Sequence, residues 1–123
     1  MFTRVLLLDD SADDVFLIER ALRKLGVKKV YCISDAAEAA MFISQAGSYE
    51  HAQKPDLIIT DLFMPHFDGV KLVQLVRGTY AFAQVPVVIL SGGISPAQQE
   101  EAVRAGADAV FQKPCDAQKM EGC

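Results

Sequence analysis

Side chains that can do chemistry follow apolar segments of the chain at the points where those segments end. They are three carboxylates, a hydroxyl and an ammonium: Asp9, Asp10, Asp61, Ser91 and Lys113. Each of them alone is typical of a turn, a helix start or a solvated surface. A carboxylate at the end of a buried strand is nevertheless costly without a partner. Because clustered charges that perturb one another mark functional sites, their joint occurrence points to one shared site.

The types of these side chains suggest phosphoryl transfer with a divalent metal ion. Crowded carboxylates repel one another unless a cation lies between them, and Mg²⁺ binds carboxylates, waters and phosphate oxygens. Asp61 could be both a metal ligand and a nucleophile, since a carboxylate can attack phosphorus to give an aspartyl phosphate. Lys113 would bind a phosphoryl oxygen as a positive charge, and Ser91 would donate a hydrogen bond to another.

The composition predicts one globular domain over residues 1–123, located in the cytoplasm. Hydrophobic residues make up 51% of the 123 residues, and no apolar run is long enough to span a membrane. The first residues do not resemble a signal peptide. A formal net charge of −4 without a basic stripe argues against direct nucleic-acid binding. The cysteines, Cys32, Cys115 and Cys123, lack metal-binding spacing and indicate reduced thiols.

Helix signals alternate with apolar segments along the chain. Each predicted helix begins at a polar capping residue: Ser11, Asp35, Asp68 or Ser95. The first helix repeats apolar residues at helical spacing, which predicts its buried face: Val15, Ile18, Leu22 and Leu25. Glycines are expected to stop the first, second and fourth helices: Gly26, Gly47 and Gly106.

The apolar segments themselves are predicted to be strands. They cover residues 4–8, 30–33, 56–60, 86–90 and 108–112. The central segments are continuously apolar rather than alternating, which is typical of parallel strands that are covered on both faces. Alternating strands and helices therefore predict an α/β fold with a doubly wound parallel sheet. Ligands bind such sheets at the carboxyl ends of the strands, where the chemical side chains fall.

Four motifs carry a resemblance to a known family. They are LLLDDS with Asp9 and Asp10, IITDLFMPHFDG with Asp61, VVILSG with Ser91, and GADAVFQKP with Lys113. Together these motifs resemble the receiver domain of bacterial two-component response regulators, of the single-domain type, over nearly the whole chain. The resemblance implies a flavodoxin-like sheet of five parallel strands in the order 2-1-3-4-5, with helices on both faces.

The resemblance also implies roles and partners. Asp61 would be the phosphoacceptor, and Asp9 and Asp10 the acidic pair around Mg²⁺. Phe63 would contribute a backbone carbonyl to the metal, Ser91 would be the switch hydroxyl, and Lys113 would bind the phosphate. The phosphoryl donor would be a sensor histidine kinase or a phosphotransfer protein. The opening DDSADDVFLIERAL looks like a subgroup whose partners include phytochrome-type kinases. Output would pass to an unknown downstream protein by contact, without nucleic acid or membrane.

Two departures from the family pattern have consequences. Many receivers carry an aromatic residue three positions before the lysine, where this chain has Val110 followed by Phe111. The ring movement that accompanies switching in those receivers is therefore not expected in the same form. After Pro114 only CDAQKMEGC remains, so the fifth helix is expected to be short or absent. An under-covered sheet face could then be closed by a homodimer or by a larger partner.

Other functions fit the same residues less well. A haloacid-dehalogenase-type phosphatase uses an Asp after its first strand and a second Asp two residues later, where this chain has Ser11. A receiver-fold adaptor that works without phosphorylation would not need the complete set of site residues. A phosphate sink, which accepts phosphoryl groups without an output, fits the residues equally well and is not distinguished from a signalling receiver by sequence. We therefore expect no enzyme activity beyond the chain's own phosphorylation and dephosphorylation.

Overall fold

The computed structural model describes residues 2–64, 67–92 and 94–112, which form a parallel sheet with helices on both faces. Its strands, numbered along the chain, are β1 (Arg4–Leu8), β2 (Lys29–Ile33), β3 (Leu57–Thr60), β4 (Phe63–Met64), β5 (Phe67–Asp68), β6 (Val87–Ser91) and β7 (Ala109–Gln112). The main sheet has five strands in the order β2-β1-β3-β6-β7, while β4 and β5 form a separate antiparallel hairpin. Counted without the hairpin, this is the predicted order 2-1-3-4-5, and the fold prediction is confirmed.

The helices begin where the capping residues predict. They are α1 (Ala12–Lys24), α2 (Ala36–Ser44), α3 (Gly69–Gly78) and α4 (Pro96–Ala105), with short 3₁₀ turns at Gly47–Tyr49 and Tyr80–Phe82. At the start of α4 the Ser95 hydroxyl accepts a hydrogen bond from the Gln98 amide, and the Gln98 side chain accepts one from the Ser95 amide. This reciprocal capping box satisfies two backbone donors that the first helical turn leaves without partners.

Two predicted helix features are wrong. The second helix ends at Ser44 rather than at Gly47, because Gln45 already takes a left-handed conformation with φ of 56°. Leu25 does not belong to the buried face of α1, because the helix ends at Lys24 and Leu25 is its capping residue, 47% exposed. Its backbone amide donates back to the last turn, and the chain then leaves through Gly26 at φ of 95°.

The core has one cluster on each face of the sheet. The cluster under α2 and α3 is built on alternate strand residues, among them Leu6, Leu8, Ile58 and Ile89. The cluster under α1 contains Ile18 and Leu22 of the helix and the intervening strand residues, among them Val5, Leu7, Ile59 and Leu90. Successive side chains of a strand point to opposite faces of the sheet, and both sets are buried because helices cover both faces. This arrangement explains why the central strands are continuously apolar.

The amino ends of β1 and β3 are held together by Asp56. Its carboxylate accepts hydrogen bonds from the backbone amides of Thr3 at 2.8 Å and Arg4 at 2.9 Å. These bonds favour the charged form, and they lower the pKa of the Asp56 carboxyl below its ordinary value. The pairing of β1 with β3 is therefore fixed at the end of the sheet that lies opposite the predicted site.

Arg77, in the last turn of α3, anchors the other half of the sheet at the same end. Its guanidinium donates to three carbonyl oxygens on two chain segments, at distances of 3.2, 2.6 and 2.8 Å: those of Ala83 and Val85 before β6, and that of Gly106 before β7. It also pairs with the Asp108 carboxylate at 2.7 Å. The same Asp108 carboxylate accepts the Val87 amide at 2.8 Å. A single side chain therefore connects α3 to the starts of β6 and β7.

Some predictions fall beyond these residues. The short or absent fifth helix and Lys113 both lie outside the described part of the chain. None of the helices that the structure describes is long and apolar enough to cross a membrane.

Candidate functional site

The first two site segments lie side by side because β1 and β3 are parallel neighbours. Leu8 pairs with Thr60 at the carboxyl ends of these strands. The Asp61 amide donates to the Leu8 carbonyl at 2.9 Å, which extends the pairing one residue past the end of β3. The Asp9 amide donates to the Ile33 carbonyl of β2 at 3.2 Å. Backbone hydrogen bonds therefore fix Asp9 and Asp61 at the same edge of the sheet.

The three predicted acidic residues come together at this edge. One carboxylate oxygen each from Asp9, Asp10 and Asp61 lies within 4.8 Å of the other two. Asp9 is buried, at 3% exposure, whereas Asp61 is half-buried and Asp10 is exposed. Carboxylate oxygens at this separation suit a hard divalent cation, which prefers oxygen ligands and keeps waters on its open side. The gradient of burial leaves such an open side toward solvent.

The orientation of Asp9 is fixed by the start of α1. Its Oδ1 accepts a hydrogen bond from the Ser11 amide at 2.9 Å. Ser11 is the capping residue of α1, and its hydroxyl accepts the Asp14 amide at 3.3 Å. The turn between β1 and α1 therefore holds one oxygen of Asp9 in place.

The segment after Asp61 forms a hairpin that the sequence analysis missed. Phe63 of β4 pairs with Asp68 of β5 in antiparallel register, and the Gly69 amide donates to the Leu62 carbonyl at 2.9 Å. Each strand has two residues, which is too short for an alternation pattern to be detected. The available sequence signal was a proline, Pro65, with apolar residues on both sides of it. The backbone of Phe63, a predicted metal ligand, belongs to this hairpin.

Glycine is required at position 69 by the closeness of the backbone around Asp61. A Cβ atom there would lie 2.9 Å from the Leu62 Cα and 3.0 Å from the Asp61 carbonyl oxygen. Both distances are shorter than ordinary van der Waals contact, so a side chain would push the loop away from α3. Gly69 thus allows the first turn of α3 to approach the loop that carries the predicted phosphoacceptor.

Ser91 ends β6 at the same edge of the sheet. It is 2% exposed, and it pairs in register with Gln112 at the end of β7. Lys113, the next residue after Gln112, lies outside the described residues, so its predicted role stays a prediction. Gly92 follows Ser91, and a Cβ atom there would meet nothing within 4 Å. Gly92 is therefore not required by close packing, unlike Gly69.

Val110 and Phe111, where the sequence departs from the family pattern, lie on opposite faces of the sheet. Val110 packs against the core cluster under α2 and α3, and it pairs with Ile89. Phe111 packs against the cluster under α1. Because side chains alternate along a strand, the ring of Phe111 is not available on the face where Val110 lies.

Known proteins with similar sequences are response regulators and related signalling proteins. The two-component response regulator ARR17 of Arabidopsis thaliana is 33% identical over 122 residues, which cover 95% of this chain and 79% of that protein. The gliding motility regulatory protein of Myxococcus xanthus is 38% identical over 113 residues, which cover 89% of this chain. The chain spans only 13% of that larger protein.

Solved structures show the same architecture. The phosphorylated cyanobacterial phytochrome response regulator RcpA superposes with a TM-score of 0.88 at 27% identity, over 98% of this chain and 88% of that chain. The Mn²⁺-bound form of response regulator Rcp1 superposes with a TM-score of 0.85 at 23% identity, over 96% and 86% of the two chains. The family model for the response regulator receiver domain matches residues 5–122, and the chain therefore belongs to this family.

Proposed function

We propose that this receiver domain accepts a phosphoryl group on Asp61 in a reaction that requires a divalent cation, Mg²⁺ in the cell. The observation that carries the proposal is the cluster of Asp9, Asp10 and Asp61, whose oxygens lie within 4.8 Å of one another. Three carboxylates so close together are unfavourable without a cation. Their position at the carboxyl ends of parallel strands is where doubly wound sheets bind ligands.

The proposed reaction transfers a phosphoryl group from a phosphohistidine to a carboxylate. An oxygen of Asp61 attacks phosphorus and forms a P–O bond, while the P–N bond to the imidazole of the donor breaks. The imidazole keeps the electron pair of that bond and takes up a proton. A bound Mg²⁺ supplies neutralisation of the charge on the phosphoryl oxygens. The buried hydroxyl of Ser91 is suited to donate to one of these oxygens, and Lys113 is the proposed positive charge for another.

The residues proposed to hold the cation are Asp9, Asp10, Asp61 and the backbone carbonyl of Phe63. Asp9 is suited to be the fixed ligand, because it is buried and the Ser11 amide orients it. The exposed Asp10 completes the pair from the solvent side. Binding of a divalent cation is supported by the related structure described as the Mn²⁺-bound form of Rcp1.

Phosphorylation by a small donor tests this function directly. The chain is incubated with acetyl phosphate and Mg²⁺, and the intact mass is measured for the addition of one phosphoryl group. Asp61→Asn should abolish the modification, and Asp10→Ala should slow it through weaker metal binding. Asp13→Asn is the matched control, since Asp13 is an exposed carboxylate in the first turn of α1 outside the cluster. Equal modification of Asp61→Asn and wild type would refute the assignment.

The proposed phosphoryl donor is a sensor histidine kinase or a phosphotransfer protein, and the output is contact with another protein in the cytoplasm. A phytochrome-type kinase is the first candidate donor, because RcpA is described as a phytochrome response regulator. Transfer of label from phosphorylated candidate kinases would identify the donor. If the chain is an adaptor that works without phosphorylation, its Asp61→Asn variant should bind the output partner as well as the wild type does. If the chain is a phosphate sink, no output partner should be found.

A homodimer stays a prediction. On the α1 face of the sheet, Val88 and Phe111 are only half-buried. Sedimentation at micromolar concentration would detect self-association, and it should be run with reductant because free thiols can cross-link chains. A monomer under all conditions would remove the homodimer from the proposal.

A further inference from the structure

Thr60 is the polar residue of an otherwise apolar strand, and it lies directly before Asp61. Its side chain is fully buried, at 0% exposure. Its partners on the neighbouring strands are Leu8 and Ile89, which are both fully buried and apolar. A hydroxyl group in such surroundings is costly unless it forms a hydrogen bond. Valine has nearly the same shape without that cost, so the hydroxyl calls for an explanation.

The Thr60 hydroxyl donates to the backbone carbonyl of Asp61 at 2.9 Å. The backbone amide of Asp61 donates to the Leu8 carbonyl at 2.9 Å. The two peptide groups that flank the Asp61 Cα are therefore both held by hydrogen bonds. The direction of the Cα–Cβ bond follows from these two peptide planes, so the root of the carboxylate is fixed.

The start of α3 lies close to the same peptide group. A Cβ atom at position 69 would lie 3.0 Å from the Asp61 carbonyl oxygen and 2.9 Å from the Leu62 Cα, so this part of the loop has little room beside α3. The Gly69 amide donates to the carbonyl of Leu62, in the next peptide group, at 2.9 Å. The Asp61–Leu62 peptide is thus held by the Thr60 hydroxyl and lies closely against the start of α3. Rotation of this peptide would carry the carboxylate away from Asp9 and Asp10.

We propose that Thr60 is a positioning residue for the phosphoacceptor, and that its hydroxyl holds the Asp61 carboxylate in register with Asp9 and Asp10. This inference rests on the proposed function of Asp61. A displacement of a reacting group by about 1 Å can slow a reaction by about 100-fold. Groups that orient metal ligands from outside the coordination shell typically change metal affinity or activity by about 10- to 100-fold.

The test compares Thr60→Val, which removes the hydroxyl at constant shape, with Thr60→Ser, which keeps it. Thr79→Val is the matched control, because the Thr79 hydroxyl also donates to a backbone carbonyl, that of Leu75 at 2.8 Å, but at the far end of α3. Three quantities are measured for each protein. They are the rate of phosphorylation across acetyl phosphate concentrations, the dissociation constant for Mg²⁺ by calorimetry, and the melting temperature.

Thr60→Val should be phosphorylated about tenfold more slowly at saturating acetyl phosphate and should bind Mg²⁺ more weakly. Thr60→Ser should recover most of both losses, and Thr79→Val should lose stability while both site measurements stay at the wild-type values. Wild-type rates and Mg²⁺ affinity in Thr60→Val would overturn the inference. Equal losses in Thr60→Val and Thr60→Ser would also overturn it, because the methyl packing rather than the hydroxyl would then matter.

The two levels of the argument fail in different ways. A wild-type chain that neither binds Mg²⁺ nor takes a phosphoryl group would refute the proposed function, and the positioning role with it. A wild-type chain that does both, beside a Thr60→Val variant that does both equally well, would refute the positioning role alone. If Thr60→Val does not fold, Thr60→Ala repeats the comparison with a smaller side chain that also lacks the hydroxyl.

Discussion

Replacement of Arg77 by Met should destabilise the protein far more than loss of an ordinary surface arginine. Met keeps an unbranched apolar side chain and removes the guanidinium, which donates to three backbone carbonyls and to Asp108. The arginine side chain is only 25% exposed, while that of Asp108 is 54% exposed. The carbonyl bonds should therefore dominate the loss, since ion pairs with exposed partners contribute little.

The magnitude follows from the number of acceptors. A typical hydrogen bond contributes about 1 kcal/mol net, and an exposed ion pair about 0.5 kcal/mol. With three carbonyls and one such pair, the free energy of unfolding should fall by about 3.5 kcal/mol. For a chain of 123 residues this corresponds to a fall in the melting temperature of about 14 °C. Arg77→Lys should recover less than half, because one ammonium cannot reach all of these acceptors on two chain segments.

Arg104→Met is the matched control. Arg104 forms an exposed ion pair with Glu100 one turn earlier on α4, which should contribute about 0.5 kcal/mol. Thermal unfolding followed by circular dichroism and urea titration at pH 7 would measure both variants. If Arg77→Met melted within about 3 °C of Arg104→Met, the claim that Arg77 connects three segments of the fold would be refuted.

Three further outcomes are expected at other positions. Asp56→Asn should lower the free energy of unfolding at pH 7. The difference in free energy of unfolding between wild type and variant should shrink as pH falls below about 3.9, because the carboxyl of the unfolded chain is protonated first, and it should vanish below the lowered pKa of the folded state. Urea titrations in which this difference stays constant as the pH falls through these two pKa values would contradict this. Gly69→Ala should cost about 1–3 kcal/mol by forcing the loop away from α3, whereas Gly78→Ala at the other end, with nothing within 4 Å, should cost nothing measurable by the same titration. Glu19→Gln should speed alkylation of Cys32, because burial and, after it, the Glu19 carboxylate raise the pKa of the thiol and so lower the fraction of reactive thiolate. Peptide mass spectrometry measures the rate, and an unchanged rate would count against this contact.

The parts of the fold that sequence predicts are those determined by neighbours along the chain. Ser95, Pro96 and Gln98 announce the start of α4 by side-chain chemistry within one turn. Continuous apolar runs predict parallel strands. Because the carboxyl ends of parallel strands lie at one edge of the sheet, this is enough to predict the acidic cluster. Gln45 could not be predicted, because a left-handed residue that is not glycine depends on how the helix end packs.

The contacts that organise the two ends of the sheet carry no comparable signal. Arg77 looks like a surface residue in the last turn of a helix, yet Gly106 and Asp108, two of its partners, lie 29 and 31 residues further along the chain. Thr60 looks like an ordinary strand residue, since threonine is common in sheets. Its importance appears only when the hydroxyl is seen among buried apolar neighbours with the Asp61 carbonyl as its acceptor.

The position of Phe111 shows why one residue of offset changes the chemistry available to a receiver. In a strand, a shift by one residue moves a side chain to the opposite face of the sheet. Val110 lies on the face under α2 and α3, while Phe111 packs against the cluster under α1. A ring under α1 cannot rotate into space beside Ser91 on the other face without breaking the pairing of β7 with β6. A rearrangement that begins at Ser91 therefore cannot use the ring of Phe111 on that face, where the neighbouring β7 side chain is the aliphatic Val110.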